Sequence, residues 1–226
     1  MVFLSPLLKS HHFGYQSLLD KLKPSENGDS KKKVADIGCC FGQDLRQMIL
    51  DGIDPKSIYA MDVHDGYWNA GREFFMDTLE HGSMKLSGVT AIFGDFALPY
   101  PLPEECTNRV VDSLKGNFDA IIIQAVLHCL SWEQNDNFIK RISSMLKPGG
   151  ILIGATMSTE EQNVLLMSFQ QGKANRYAHS VKSLNELLNS NGFTNVETKD
   201  FPLLEEFKNT SSNEKRSMLI FMAFKK

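Results

Sequence analysis

The sequence predicts an α/β protein built on a mostly parallel sheet with helices on both faces. Short apolar runs rich in β-branched residues alternate with helical stretches through the middle of the chain. One run, "FDAIIIQAV", is apolar almost throughout, as expected of a central parallel strand that is buried on both faces. Two strands close the chain with no helix predicted between them, which favours an antiparallel strand within the sheet.

Each element is identified by its own pattern. Spaced leucines in residues 1–22 are typical of short amphipathic helices, and "KPSENGDSKKK" has the composition of a loop. The predicted strands are "KVADIG", "SIYAMDV", "VTAIFGD", "FDAIIIQAV", "LKPGGILIGATM", "TNVETKDF" and "SMLIFMAFKK". The predicted helices are "DLRQMILDG", "GYWNAGREFFMDTLE", a segment at 104–115, "EQNDNFIKRISSMLK" and "SVKSLNELLNSNGF".

Length and composition restrict the possible functions. The 226 residues are 42% hydrophobic, which predicts one domain over 1–226, with a lid and linker at 1–30 and a substrate-side insertion at 158–179. A net charge of −3 provides no cationic field for nucleic acid or anionic lipid. The four cysteines form no CxxC pair, and no apolar run approaches the ~20 residues of a membrane span. We therefore expect a cytoplasmic protein without a metal site.

A turn that contains glycine follows the first predicted strand. In "VADIGCCFGQDLRQM", residues 34–48, Gly38 and Gly42 lie between the strand and a helix. Glycine lets the backbone approach a ligand closely, and the helix presents its free N–H groups at the same place. Such turns are common, so this one alone is weak evidence for a cofactor. The G-x-G-x-x-G spacing of a dinucleotide-binding turn is missing, which disfavours NAD.

Acidic residues follow the next two predicted strands. Asp62 comes at the end of "YAMD", where its carboxylate can accept both hydroxyls of a ribose. Asp95, in "FGDF", can accept from the exocyclic amine of an adenine while Phe96 or a neighbouring apolar residue stacks on the ring. Any one of these acids can be a solvated strand end. Parallel strands end at one edge of the sheet, so the turn and both acids together indicate an adenosine site.

The motifs "DIGCCFG", "GDF" and "LKPGGILIGAT", with Asp62, resemble those of class I S-adenosylmethionine-dependent methyltransferases over residues 30–226. "LHCLSWEQ" and "RYAHSVKS" are similar to small fungal methyltransferases of secondary metabolism, including meroterpenoid-pathway enzymes that esterify a carboxylate. The resemblance implies a Rossmann-like seven-stranded sheet with an antiparallel last strand, an N-terminal helical lid, and S-adenosyl-L-methionine as cofactor. It assigns to the cofactor Asp36, Gly38, Cys40, Gly42, Asp62, Val63, Asp95, Phe96 and Gln124. Cys40 stands where the family pattern has its middle glycine, so a less permissive turn is expected.

Histidines and aromatic residues are the candidates for the acceptor site. His128, in "AVLHC", follows the fourth strand, where acceptors lie in this fold, and is predicted to orient the acceptor or to act as a general base. The alternative is a hydrogen-bonded histidine without substrate contact. His179 is the second catalytic candidate, whereas His11 and His12 are expected to be exposed. The candidates for substrate binding are Tyr15, Trp132, Arg176 and Tyr177.

These features favour a methyltransferase for a small organic acceptor, with a carboxylate preferred over a hydroxyl group. Nucleobase N-methyltransferases carry an Asn/Asp-Pro-Pro-aromatic tetrapeptide where this chain has "QAVLHC", which argues against nucleic acid. N-methylation stays open. A protein that binds S-adenosylmethionine without methylating, such as a cyclase or an accessory subunit, is the alternative. The sequence does not predict the oligomeric state.

Overall fold

The computed structural model describes residues 9, 11–23, 31–77, 86–102, 110–160, 163–169, 172–202 and 216–226. Its strands are β1 Val34–Ile37, β2 Ile58–Asp62, β3 Thr90–Phe93, β4 Phe118–Gln124, β5 Leu146–Thr159, β6 Asn163–Phe169, β7 Gly172–Ala178, β8 Phe193–Pro202 and β9 Arg216–Lys225. Its helices are α1 Tyr15–Leu22, α2 Gln43–Leu50, α3 Gly66–Phe74, α4 Trp132–Met145 and α5 Val181–Ser190.

The main sheet has seven strands in the order β3-β2-β1-β4-β5-β9-β8. The pairs from β3 through β5 are parallel, whereas β9 runs antiparallel to both β5 and β8. The predicted mostly parallel sheet with an antiparallel last strand is therefore confirmed. The chain order reverses at β1, which has β2 on one side and β4 on the other, and ligands bind at such switch points in open α/β sheets.

Helices cover both faces of the sheet, as predicted. Strand β4 places Ile121 and Ile123 in one core and Ala120 and Ile122 in the other, because alternate side chains point to opposite faces. The first core contains buried residues of α4 and α5, and the second contains buried residues of α1, α2 and α3. Helix α4 begins with a capping box, in which the hydroxyl of Ser131 accepts from the N–H group of Gln134.

Two predicted segments differ from the structure. The insertion at 158–179 contains an antiparallel hairpin, β6 and β7, where no strand was predicted. The predicted helix at 104–115 lies partly outside the described residues, and its described end, Val110–Leu114, is a 3₁₀ turn.

Helix α1 packs flat on the sheet. Leu18 is fully buried and Leu22 nearly so, in contact with the face that α2 and α3 also cover. Burial of a leucine stabilises a fold by about 1.5 to 3 kcal/mol, so α1 is a structural helix of the core. Residues 1–8 and 24–30 lie outside the described residues, and a lid role for the segment before α1 stays a prediction.

Candidate active site

The turn after β1 is joined to the end of β2. The N–H groups of Gly38 and Cys39 both donate to the carbonyl oxygen of Met61, at 2.8 and 3.1 Å. Gly38 has a φ of +84°, and a Cβ atom there would lie 2.4 Å from Cγ2 of Val126. Only glycine fits this position, because both the backbone angle and the close contact exclude a side chain. The loop after β4 thus packs directly on the turn.

Cys40 continues this turn in a left-handed conformation, with a φ of +50°. Its N–H group donates to Oδ2 of Asp62 at 2.9 Å, and the N–H group of Val63 donates to Oδ1 at 2.7 Å. Two backbone donors therefore fix the orientation of the Asp62 carboxylate. Burial, followed by the charges of Asp62 and Asp36, raises the pKa of the Cys40 thiol, despite a hydrogen bond from the backbone of Phe41 that lowers it.

Carboxylates surround the turn. Asp36 is 3% exposed, and burial raises its pKa well above the usual range, with further increases from the charges of Asp44 and Asp62. Asp44 lies in the first turn of α2, where Gly42 is the N-cap residue. Helix N-termini usually favour anions, but this one already has acidic neighbours. The turn therefore favours a ligand with positive charge and disfavours a pyrophosphate.

Two buried amide atoms beside the turn make no hydrogen bond among the described residues. They are Oε1 of Gln43, the first residue of α2, and Nε2 of Gln124, the last residue of β4. A buried polar atom without a partner costs about 1–3 kcal/mol. A ligand that offers a donor to Gln43 and an acceptor to Gln124 would remove this cost. An amino-acid group offers both.

The third strand end reaches the same edge of the sheet. Asp62 pairs with Phe93 in β3, and its carbonyl oxygen accepts from the N–H group of Gly94 at 2.9 Å. Asp95 accepts from the N–H group of Ala97 through Oδ1 at 2.8 Å, in a local turn. The three predicted strand ends, after β1, β2 and β3, therefore do converge.

Phe96 does not fit its predicted role as the residue that stacks on an adenine ring. It is 3% exposed and packs in the first core with Met61 and Ala97. Its burial in that core leaves little of the ring for a ligand. Val63, which is 49% exposed beside Asp62, is an apolar side chain that is available near this edge.

Arg46 is a feature of the site that sequence reasoning missed. Its guanidinium group donates to the carbonyl oxygen of Phe41 at 2.5 Å and to that of Gly71 at 3.3 Å, and it forms a buried ion pair with Asp77. A Cβ atom at Gly71 would lie 2.3 Å from the carbonyl oxygen of Phe41, so α3 contacts the glycine turn directly. Arg46 therefore fixes the turn after β1 against the helix after β2.

Arg141 supports the neighbouring loop in a similar way. This buried residue of α4 donates to the carbonyl oxygens of Phe96, Leu98 and Pro99, at 2.5 to 2.8 Å. The guanidinium group of Arg141 therefore holds the loop that follows Asp95. The signal in the sequence was a single arginine within an amphipathic helix, which pattern analysis treats as a surface residue.

His128 lies in a 3₁₀ turn, Leu127–Cys129, which two residues separate from the end of β4. Its Nδ1 accepts from the N–H group of Met157 at 3.2 Å and lies 3.4 Å from Oγ1 of Thr156. Burial lowers the pKa of His128 to about 4, so the ring is neutral at physiological pH. The imidazole is therefore anchored to the end of β5.

Three of the predicted acceptor residues form one aromatic cluster. The ring centroid of Tyr177 lies 4.9 Å from that of Trp132 and 4.8 Å from that of His179. Trp132 is 48% exposed, whereas His179 is fully buried, with Nδ1 3.2 Å from Oγ of Ser183. Burial lowers the pKa of His179 to about 4, and its Nε2 has no partner among the described residues. The cluster therefore combines the partly exposed indole ring of Trp132 with the buried Nε2 atom of His179.

Two other candidates do not join this cluster in the described structure. Tyr15 donates through its hydroxyl group to Oδ2 of Asp51 at 2.8 Å. Asp51 ends α2, so this contact lies about 12 Å along the helix from the glycine turn. Tyr15 therefore makes a structural contact here, and its substrate contact stays a prediction. Arg176 belongs to β7, and its side chain lies outside the described residues.

The expected exposure of His12 is wrong. This residue is 6% exposed, its Nδ1 accepts from the N–H group of Gly14 at 3.0 Å, and its Nε2 lies 3.1 Å from the carbonyl oxygen of Gly154 in β5. Burial lowers its pKa to about 4. His11, by contrast, is exposed as expected.

Within the described part of the chain, no group of three His, Cys, Asp or Glu side chains is placed to hold a metal ion. Among the described residues, Cys39, Cys40 and Cys129 form no disulfide, and Cys106 lies outside the described residues. None of the helices in the described ranges is long and apolar enough to span a bilayer.

Known proteins resemble this chain in sequence and in fold. Methyltransferase ausD of Penicillium brasilianum is 27% identical over 175 residues, which cover 76% of this chain and 56% of the relative. O-methyltransferase phiE of a fungal species (strain ATCC 74256) is 27% identical over 187 residues, which cover 82% of this chain and 55% of the relative. The chain thus spans about half the length of these relatives.

The fold also matches that of a solved methyltransferase. Haemonchus contortus phosphoethanolamine N-methyltransferase 2, in complex with phosphomonomethylethanolamine and S-adenosylhomocysteine, superposes with a TM-score of 0.61 and 16% identity. The match covers 93% of this chain and 52% of that one. The family model of the methyltransferase domain matches residues 35–154, which are more than half of the chain and run from the glycine turn past His128. The chain therefore belongs to the methyltransferase domain family.

Proposed function

We propose that this chain binds S-adenosyl-L-methionine at the glycine turn and methylates an oxygen atom of a small organic acceptor. The observation that carries the proposal is the concentration of buried polar groups at this edge, two of which have an atom without a hydrogen-bond partner in the described structure. Asp36 is a buried carboxyl group with a raised pKa, and Gln43 and Gln124 each bury an amide atom without a partner in the described structure. A cofactor with a sulfonium, an ammonium and a carboxylate group would complement all three.

The neighbouring strand ends suit the adenosine part of the same cofactor. Asp62 would accept from the ribose hydroxyls, because its carboxylate is already oriented by the backbone of Cys40 and Val63. Asp95 keeps Oδ2 for the exocyclic amine, since Oδ1 is used by Ala97. The exposed side chain of Val63 would cover one face of the adenine ring.

Bound S-adenosylmethionine supplies a methyl group that is activated by the positive charge on sulfur. The residues of this chain then have to place the acceptor in line with that group and exclude water. His128 is anchored between the ends of β4 and β5, and its loop touches the turn through Val126. The exposed face of Trp132, backed by Tyr177, would bind an apolar or aromatic scaffold.

One relative, O-methyltransferase phiE, supports an oxygen acceptor. A place in secondary metabolism stays part of the proposal. We keep a carboxylate as the preferred acceptor over a hydroxyl group. N-methylation is the nearest variant, since the Haemonchus contortus enzyme is an N-methyltransferase of the same fold. The alternative from another functional class is a protein that binds S-adenosylmethionine but does not transfer its methyl group. A cytoplasmic location stays a prediction from the cysteine pattern of the sequence.

A transfer assay tests the proposal. The chain is incubated with S-adenosylmethionine that carries a labelled methyl group, and with 4-hydroxybenzoate, 4-aminobenzoate or cholate. Mass spectrometry then distinguishes a methyl ester from an ether or an N-methyl product. We expect a methyl ester. Binding of S-adenosylmethionine by calorimetry without label on any acceptor would favour the non-methylating alternative, and an N-methyl product would favour an N-methyltransferase.

A further inference from the structure

We infer that His128 holds the acceptor by donating a hydrogen bond through Nε2 and does not act as a general base. The inference rests on the proposed function and deepens it, because it gives His128 a single positioning role. A residue that can donate but cannot take a proton suits an oxygen that is already anionic at neutral pH. A contact of this kind agrees with the carboxylate that the proposed function prefers.

The tautomer of His128 follows from its partners. The N–H group of Met157 lies 3.2 Å from Nδ1, and a backbone N–H group can only donate. Nδ1 must therefore carry its lone pair towards Met157. The hydroxyl of Thr156, 3.4 Å from the same nitrogen, is a second potential donor to it. In a neutral imidazole with Nδ1 as acceptor, the proton is on Nε2.

This arrangement is the reverse of that in a catalytic base. A histidine that takes a proton from a substrate presents a lone pair to it, while its other nitrogen donates to a carboxylate or a carbonyl group. Here the only lone pair points at a backbone donor, and no carboxylate contacts His128 among the described residues. Burial also lowers the pKa of His128 to about 4, so the ring disfavours the cation that a base must form.

The position of the ring fits a contact with the acceptor. His128 follows β4 by a loop whose Val126 lies against Gly38, and it is tied to Met157 at the end of β5. Both contacts lie at the carboxyl edge of the sheet, on the far side of the glycine turn from Asp62. Nε2 makes no hydrogen bond within the ranges that the structure describes, so its proton is available to a ligand.

A donor at Nε2 in place of a base suits an acceptor that needs no deprotonation. A phenol has a pKa near 10 and must lose its proton during methylation, whereas a carboxylic acid is ionised at neutral pH. With a carboxylate, the C–O bond forms while the methyl–sulfur bond breaks, and its electron pair stays on sulfur. No proton is transferred. A donor at Nε2 is sufficient to orient the attacking carboxylate.

Nitrogen NMR tests the tautomer without any substrate. Long-range ¹H–¹⁵N spectra of the ¹⁵N-labelled chain report which ring nitrogen carries the proton, and His128→Asn identifies the signal. We expect a neutral ring with the proton on Nε2 at pH 7, and no titration down to pH 5. A proton on Nδ1, or a cationic ring at pH 7, would overturn the inference. Either result is independent of whether the chain methylates anything.

Matched variants test the function of the donor. In His128→Gln the amide nitrogen can occupy the position of Nε2, whereas in His128→Asn the side chain reaches only to the position of Nδ1. We expect Gln to restore kcat at least 10-fold above Asn on the best of the three test acids, because a hydrogen bond to a charged group is worth about 10- to 100-fold. Equal losses in both variants, with S-adenosylmethionine affinity and thermal midpoint unchanged, would indicate a base. Loss of S-adenosylmethionine binding in the wild-type chain would instead refute the proposed function.

Discussion

Acidification to pH 5 should destabilise this fold through three buried histidines. Burial lowers the pKa of His12, His128 and His179 to about 4 in each case, from an ordinary value of 6.5. Above pH 6.5 neither the folded nor the unfolded chain protonates them. As the pH falls from 6.5 towards 4, the unfolded chain binds protons that the folded chain does not. The free energy of unfolding therefore decreases over this range.

The expected magnitude follows from the pKa values. At pH 5 each histidine should lower the free energy of unfolding by about 2 kcal/mol, so three independent sites give about 6 kcal/mol. A typical domain has only about 5–15 kcal/mol of stability. Asp36 acts in the opposite direction, because its raised pKa makes the folded chain bind a proton that the unfolded chain releases. Asp51 and Asp119, whose pKa values are lowered from 3.8, lose their contribution only below that range.

Urea unfolding at pH 7.5 and pH 5.0, followed by tryptophan fluorescence, measures this difference. His12→Gln should remove about a third of the pH dependence, because each histidine contributes equally. His64→Gln is the matched control, since its side chain is exposed. Equal free energies of unfolding at the two pH values in the wild-type chain would refute the reasoning, as would an unchanged pH dependence in His12→Gln.

Other predictions concern the turn. Asp62→Asn should weaken S-adenosylmethionine binding about 10- to 100-fold in calorimetry, because charge-assisted hydrogen bonds are lost, whereas the exposed control Asp200→Asn should not. Cys40→Gly should raise the free energy of unfolding by about 1 kcal/mol in urea titrations, because it relieves a left-handed backbone at φ +50°; a destabilised variant would contradict this. Arg46→Met should cost about 3–5 kcal/mol by leaving Asp77 buried without its partner, and a second change, Asp77→Leu, should recover part of it.

The sheet could be predicted because its signals are local. Alternation and apolar runs identify each strand, and the strand ends then meet at one edge by the geometry of parallel strands. This reasoning found the positions of Asp36, Asp62 and Asp95. Trp132 and Tyr177 were each named as candidates for substrate binding, but their contact, which joins distant parts of the chain, was not predicted.

The remaining features depend on contacts that no local pattern encodes. Arg46 donates to the carbonyl oxygen of Phe41 and also to Asp77, which follows α3. Asp77 is 31 residues away in sequence, so a local pattern cannot predict this pair of contacts. The hairpin at β6 and β7 was missed because its residues do not alternate in polarity. Phe96 was expected at the cofactor because it follows Asp95, but the loop turns its ring into the core.

Calorimetric titration of the chain with S-adenosylmethionine, S-adenosylhomocysteine and NAD tests the central claim most directly. Asp44 and Asp62, whose charges act on the buried Asp36, favour a cationic ligand with an amino-acid group at the turn after β1. We expect saturable heat with both sulfur compounds and none with NAD, whose pyrophosphate would face these carboxylates. Binding of NAD, or no heat with either sulfur compound, would contradict the account.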